Sequence, residues 1–169
     1  MRLIAAAVLI LGLAACGAGE DSGSDTGSNT DIPAAPPAPA PTVQPLDPAA
    51  VQTALATLPV AYAEADLENG QRVFARCRSC HTLPEGGPDA VGPNLYGLFG
   101  RPAATHGAYR YSDALKASGW IWTAETLDPW IENPRQALPG NKMTFAGIRD
   151  AEDRRDLIAY LRVAAGATA

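Results

Sequence analysis

Residues 77–81 read "CRSCH", which puts two thiols and an imidazole within five positions of chain. Such a cluster holds a haem, holds a zinc ion or runs dithiol exchange, and the residues around it discriminate. Zinc needs four ligands, usually with a second Cys or His pair at a defined spacing. The one other histidine is His106, alone in "ATHGAY", and the one other cysteine is Cys16 near the N-terminus. A thioredoxin-type dithiol needs its first Cys at the start of a helix in a βαβ unit, where the thiol pKa falls. Here the pair closes a predicted helix, "ADLENGQRVFARC", and no strand pattern precedes it. Haem attachment fits. Two thiols three positions apart add to the two vinyl groups on one haem edge, and the next residue, His81, falls under the iron as an axial ligand. The sixth position then needs a donor. Met1 leaves with the signal segment, so Met143 in "LPGNKMTFAG" is the candidate, on a loop that Pro139 and Gly140 turn sharply. A lone Met is more often a filler of apolar cores, but a Pro-Gly loop between two helices is poor core.

The chain of 169 residues is uneven. "MRLIAAAVLILGL" carries Arg2 and then an apolar run that has the length of a signal-peptide core, short of the ~20 residues a spanning helix needs. "LAAC" follows, with Cys16 in the position that a bacterial lipobox reserves for the lipidated residue. Residues 1–15 are therefore expected to be a lipoprotein signal peptide, with Cys16 as the lipidation site. "GAGEDSGSDTGSNTD" has almost nothing to bury, and seven prolines lie between Pro33 and Pro48. Residues 16–62 are expected to be a disordered, acidic and Pro-rich tether, with at most a marginal helix over 49–62 that Pro59 interrupts. A compact domain is expected over 63–169.

Charge divides at the same place. From Val60 onward there are thirteen acidic and twelve basic residues, so the net charge of −5 belongs mostly to the tether. No basic stripe exists to hold nucleic acid. Four helices are predicted in the domain. One is capped by Asp66, one starts at Ser112 and ends at Gly119, and one runs from Thr123 to the stop at Pro134, with Pro129 near its first turn. The last is capped by Asp150 and buries Leu157, Ile158, Leu161 and Ala165. No segment alternates as a strand. The expected fold class is all-α: a small domain of helices and long loops wrapped around one covalently bound haem c, which substitutes for the core and disulfides that so short a chain lacks.

Residues 69–163 resemble a class I cytochrome c of the mitochondrial and alphaproteobacterial type. The matching stretches are "GPNLYGLFGR", "YSDALKASGWIWTAETLDPWIENP", "PGNKMTFAGI" and "DLIAYLR", in that family's order and spacing. The N-terminal layout resembles its membrane-tethered bacterial relatives. The resemblance implies that Cys77 and Cys80 form the thioethers, with His81 and Met143 as the iron ligands. It further implies that the Pro93 carbonyl accepts the His81 ring N–H, and that Arg101, Tyr111 and Trp122 bond the haem propionates. Phe145 packs over the haem near its exposed edge, and Gly70 and Tyr160 mark a close crossing of the first and last helices. Asn141 stands where a threonine is usual and Trp130 where a tyrosine is. Near the haem edge the basic residues are Arg76, Arg78, Arg135, Lys142 and Arg149, interrupted by Glu85 and Asp89, while His106 reads as a solvated loop histidine.

The function expected from this resemblance is one-electron transfer without a small-molecule substrate, since His/Met ligation leaves no open iron position. The expected partners are a cytochrome bc1-type donor and a cytochrome c oxidase acceptor. The expected location is the periplasmic side of a bacterial membrane, through the lipid anchor, with the cytoplasmic membrane favoured. The competing expectation is a haem peroxidase or the electron-input subunit of a periplasmic oxidoreductase.

Overall fold

The computed structural model describes residues 47–166, so the signal segment, Cys16 and the tether as far as residue 46 lie outside the described residues. The described residues form α1 (Pro48–Leu55), a 3-10 turn (Val60–Tyr62), α2 (Leu67–Phe74), α3 (Asp113–Ala117), α4 (Ala124–Glu132), α5 (Pro134–Ala137) and α6 (Ala151–Ala164). Strand-like pairing among them is limited to one isolated antiparallel bridge between Pro102 and Ile121. The all-α expectation holds.

The helices begin where short polar side chains satisfy free backbone N–H groups. Asp66 accepts from Asn69, Ser112 from Leu115 and Asp150 from both Glu152 and Asp153, while Thr123 and Thr126 form a reciprocal capping box. Gly119 at φ +67° ends the chain's turn after α3. Pro129 lies in the middle of α4 rather than near its first turn. It removes the donor to the carbonyl of Glu125, an exposed residue, so the helix continues through it. Pro134 ends nothing by itself: Asn133 breaks out at φ −157° and caps α5, with Pro134 as its first residue.

The framework is the crossing of α2 and α6. A Cβ on Gly70 would stand 2.6 Å from Tyr160 Cβ and would strike the Asp156 carbonyl, so only glycine permits this approach. Around the crossing Val73 and Phe74 pack into the core with Leu157, Ile158 and Leu161, and the Phe74 and Tyr160 rings lie 5.7 Å apart. Asp156, 3 % exposed, accepts from the Asp66 N–H at 3.1 Å, from Asn69 Nδ2 at 3.0 Å and from Arg155 at 2.8 Å. The α6 stripe expected from the sequence is buried, and three charged residues, Arg154, Asp156 and Arg162, are buried beside it.

The folded part starts earlier than the expected Ala63. The eight residues of α1 are too few to be stable alone, but α1 packs on α6, and Leu58 and Tyr62 pack on the core. Arg162 Nε donates to Thr57 Oγ1 at 2.8 Å. Those contacts turn a marginal helix into part of the domain. Pro59 does interrupt it, and caps the following 3-10 turn.

Asp156 gives a pH test. Burial by itself would raise its pKa, but the hydrogen bonds from Asn69, Arg155 and the Asp66 N–H hold it below the usual carboxylate range. Its stabilisation is complete above the unfolded-chain value near ~3.9 and is lost as pH falls through the lower folded value. Asp156→Asn is expected to cost about 2 kcal/mol at pH 7 and to flatten the acid limb of stability. Denaturant unfolding at pH 7 and across pH 2 to 5 checks both; an unchanged acid limb contradicts the assignment.

Candidate functional site

The motif follows α2 without a break in hydrogen bonding. Cys77 N–H donates to Phe74 O at 2.8 Å, and the N–H groups of Cys80 and His81 both donate to Cys77 O at 3.0 Å. This tight turn puts both thiols and the imidazole on the wall of one apolar cavity of about 280 Å³. Every other residue expected at the site reaches the same cavity: Pro93, Arg101, Tyr111, Trp122, Asn141, Met143 and Phe145.

His81 Nδ1 lies 2.8 Å from the Pro93 carbonyl. With that nitrogen donating, Nε2 carries a free lone pair, the tautomer a metal ligand needs. Burial lowers the imidazole pKa, against the opposing pull of the Pro93 bond, so the ring is neutral at pH 7. Gly92, which the sequence reading passed over, makes this possible. A Cβ there would stand 2.7 Å from His81 Nδ1, so the backbone passes against the ring only because the residue is glycine. The "GPN" triplet held that signal, since glycine before proline marks a constrained backbone. Asn94 was also missed. Buried to 1 % exposure, its side chain donates to Thr82 Oγ1 and Pro84 O and accepts from the Tyr96 N–H, fixing the loop that carries Pro93.

Met143 is held from both sides of its loop. Its N–H donates to Asn141 Oδ1 at 2.8 Å, while Asn141 Nδ2 donates to Pro134 O at 2.7 Å and Leu138 O at 2.8 Å. Asparagine thus performs a bridging role with three hydrogen bonds. Beyond Met143, the Arg76 guanidinium lies 5.6 Å from the Phe145 ring centroid, and its Nη2 donates to Gly147 O at 2.9 Å. Gly147, at φ +90°, packs its backbone directly on the Glu132 carbonyl, and the next N–H donates to Ile131 O at 3.0 Å. The loop is stitched to α5 before the Met and to α4 and the motif after it. Trp130 packs in a cluster with Trp120 and Trp122, ring centroids 5.7 to 6.0 Å apart, and lines the cavity.

On the remaining wall, Arg101 Nη1 donates to Tyr96 O at 2.7 Å and lies 3.1 Å from His106 Nδ1. His106 Nε2 is 3.5 Å from Asp89. His106 is therefore a bridge between Arg101 and Asp89 rather than a solvated loop residue, because the chain after Arg101 folds back over it. Burial lowers the Arg101 pKa while Tyr111 and Asp89 support its charge; it stays cationic, next to a cavity otherwise apolar.

The dithiol and zinc readings lose their footing. Burial pushes the Cys77 thiol up to about 11, the opposite of an activated thiolate. Among the described residues no three His, Cys, Asp or Glu side chains converge as a metal site. The donor set fits a haem: two thiols on one edge, an imidazole with Nε2 free, a thioether, and a cation beside an apolar cleft.

The comparisons agree with this geometry. The cytochrome c family profile matches residues 67–164. The chain belongs to the cytochrome c family. Similar proteins include "Cytochrome c" of Stellaria longipes, 44 % identical over 102 residues, covering 60 % of this chain and 94 % of that one. "Cytochrome c" of Theileria parva is 46 % identical over 102 residues, covering 60 % and 88 %. "Cytochrome c2" of Blastochloris viridis is 44 % identical over 97 residues, covering 57 % and 76 %. As a family member the chain is an electron carrier with one covalently bound haem c.

Two outcomes follow at this site. Met143→Ala is expected to convert a low-spin haem to a mixed- or high-spin one, lower its potential and erase the weak far-red sulfur-to-iron band of the ferric state. An unchanged spectrum excludes Met143 as ligand. Arg76→Gln keeps the side chain's reach but loses its charge and ring contact, at a cost of about 1 kcal/mol. The far-red band should then disappear at lower pH or denaturant than in the wild type, and coincident titrations would show that Arg76 does not hold the loop.

Proposed function

We propose that this cytochrome c is a lipid-anchored one-electron carrier on the periplasmic side of a bacterial membrane, held through Cys16 and passing electrons from a cytochrome bc1-type complex to a terminal cytochrome c oxidase. The observation that carries the reading is the convergence of Cys77, Cys80, His81 and Met143 on one apolar cleft. The bound group supplies the chemistry, one electron gained or lost at iron.

The chain's own residues set the conditions. Cys77 and Cys80 hold the macrocycle, Pro93 orients the His81 ring, and Asn141 keeps Met143 from leaving. Phe145 and the tryptophan cluster would keep water from the bound group, and Arg101 with Tyr111 and Trp122 would offer charge and polar tips to its propionates. With His81 and Met143 both as its protein donors, the bound iron would change oxidation state with little bond rearrangement and would have no position open to a substrate. That, with His106 engaged by Arg101 and Asp89, weighs against a peroxidase. The anchoring part rests on "LAAC", in the N-terminal segment. No helix among the described residues is long and apolar enough to cross a membrane. Arg76, beside the Phe145 ring, and the exposed Arg78 and Lys142 suit an acidic docking face, with Glu85 and Asp89 limiting its extent.

Stopped-flow reduction with membranes containing or lacking a bc1-type complex tests the electron path, and Cys16→Ser tests the anchor. The expected result is fast reduction only where the complex is present, with the variant released as soluble haem protein or retained as an uncleaved precursor. Equal reduction by both membranes rejects the donor; a variant still bound, with wild-type processing and mass, rejects the lipid.

A further inference from the structure

Among the described residues three charged side chains are nearly fully buried, and two of them are compensated. Arg154 donates to Asp128 at 2.8 Å and to the carbonyls of Ile148 and Arg149. Asp156 has Arg155, Asn69 and the Asp66 N–H. Arg162, 8 % exposed, is different. Its Nε reaches only the Thr57 hydroxyl, and its guanidinium lies 5.5 Å from the Phe99 ring centroid. Its Nη1 is buried with no hydrogen-bond partner. No carboxylate of the described residues is within ion-pair distance of it. A hydroxyl and a ring face are poor compensation for a buried cation, whose remaining donors need an acceptor and whose charge needs an anion.

Arg162 lines a second cavity, of about 590 Å³, between residues 57–59 of the N-terminal segment and the cytochrome c domain. Thr57 and Thr123 line it as well, although the Thr57 hydroxyl proton goes to Ala54 O and the Thr123 hydroxyl to the Glu125 carboxylate, and Ala124 and Glu125 bring the first turn of α4, the positive end of a nine-residue helix. One group opposes an anion. The Glu125 carboxylate lies at the exposed rim, held below the usual carboxylate range by a hydrogen bond from Thr123 and by its own backbone N–H. Arg101 and Trp122 line both this cavity and the haem cleft, so the two sites share a wall while differing in chemistry.

We propose that this cavity binds a phosphate-type oxyanion, with Arg162 as its principal cation. The planar guanidinium fork matches a tetrahedral oxyanion through paired N–H groups, and here one arm of the fork is without an acceptor. Free phosphate and the phosphodiester of a lipid headgroup share the recognised group. The cavity belongs to this chain's own build, because three of its lining residues come from the segment preceding residues 67–164, the part that matches the family.

The test uses the full-length ferric holoprotein in detergent at constant ionic strength. Inorganic phosphate and glycerophosphoglycerol, a soluble headgroup fragment, are titrated separately by calorimetry and by 31P line broadening. Saturable one-to-one binding is expected, weakened by at least about tenfold in Arg162→Gln and by less in Arg162→Lys, which keeps the charge but not the fork. Glu125→Gln, at an exposed position, should tighten binding several-fold by removing the opposing charge. Tighter binding of the diester assigns the site to a headgroup, and tighter binding of the inorganic ion to free phosphate. Absence of binding by the wild type at tens of millimolar overturns the proposal, as does a folded Arg162→Gln that binds like the wild type. Should Arg162→Gln lose its native haem spectrum or helicity, Glu125→Gln decides: tighter binding supports the site, and unchanged or weaker binding overturns it.

Discussion

At Gly70 the backbone of α2 lies against the backbone of α6, and most of the structure depends on that approach. It is a constraint on one hydrogen atom. Any larger side chain would push α2 outward, and α2 carries the motif: the turn of Cys77 to His81 continues directly from Phe74. Asp156 makes the approach polar as well as steric, because its carboxylate ties the first turn of α2 to α6 through Asp66 and Asn69. Position and chemistry of the thiols are thus set from the opposite end of the chain.

Once α2 is placed, the site is assembled by loops, and loops need internal partners if they are to hold a geometry. Two loops have one asparagine at their centre, the loop that carries the Pro93 carbonyl and the loop that carries Met143. Asn94 gathers Thr82, Pro84 and Tyr96 around the Pro93 carbonyl, and Asn141 gathers Pro134, Leu138 and Met143. An amide side chain offers donors and an acceptor on one rigid plane, so it substitutes for the backbone ladder that a loop lacks. Loops braced in this way would let His81 and Met143 keep their positions when the charge of a bound group changes, which is what rapid electron exchange requires.

Elements whose cause is local were readable in the sequence. The caps at Asp66, Ser112, Thr123 and Asp150 act on N–H groups two or three residues away, and all four start helices. The motif and the Pro-Gly loop before Met143 were equally local, and the ten residues named for the site line one cavity. Features whose cause is distant were not readable. Thr57 and Arg162 lie 105 residues apart, so the segment before Ala63 looked like tether. His106 looked solvated because Arg101 and Asp89 meet it only after the chain folds back. Arg76 looked like a surface charge, yet its partner, Gly147 O, is 71 residues on. Pro129 was misplaced for a different reason: a missing donor in mid-helix is tolerated where the freed carbonyl belongs to an exposed residue, and composition does not reveal the exposure.

The seam between α1 and α6 also has a mechanical meaning. A pull on the N-terminal chain reaches α1 first, and α1 buries none of its residues, so it would peel away under little load. The load would then meet Thr57 on Arg162, and next Leu58 and Tyr62 on the core, before it arrived at the Asp66 cap of α2. Force would therefore be taken up in stages by these contacts before it reached the helix that carries the thiols. The segment would work like the strain relief on a cable, taking up a tug before it reached the turn from Cys77 to His81.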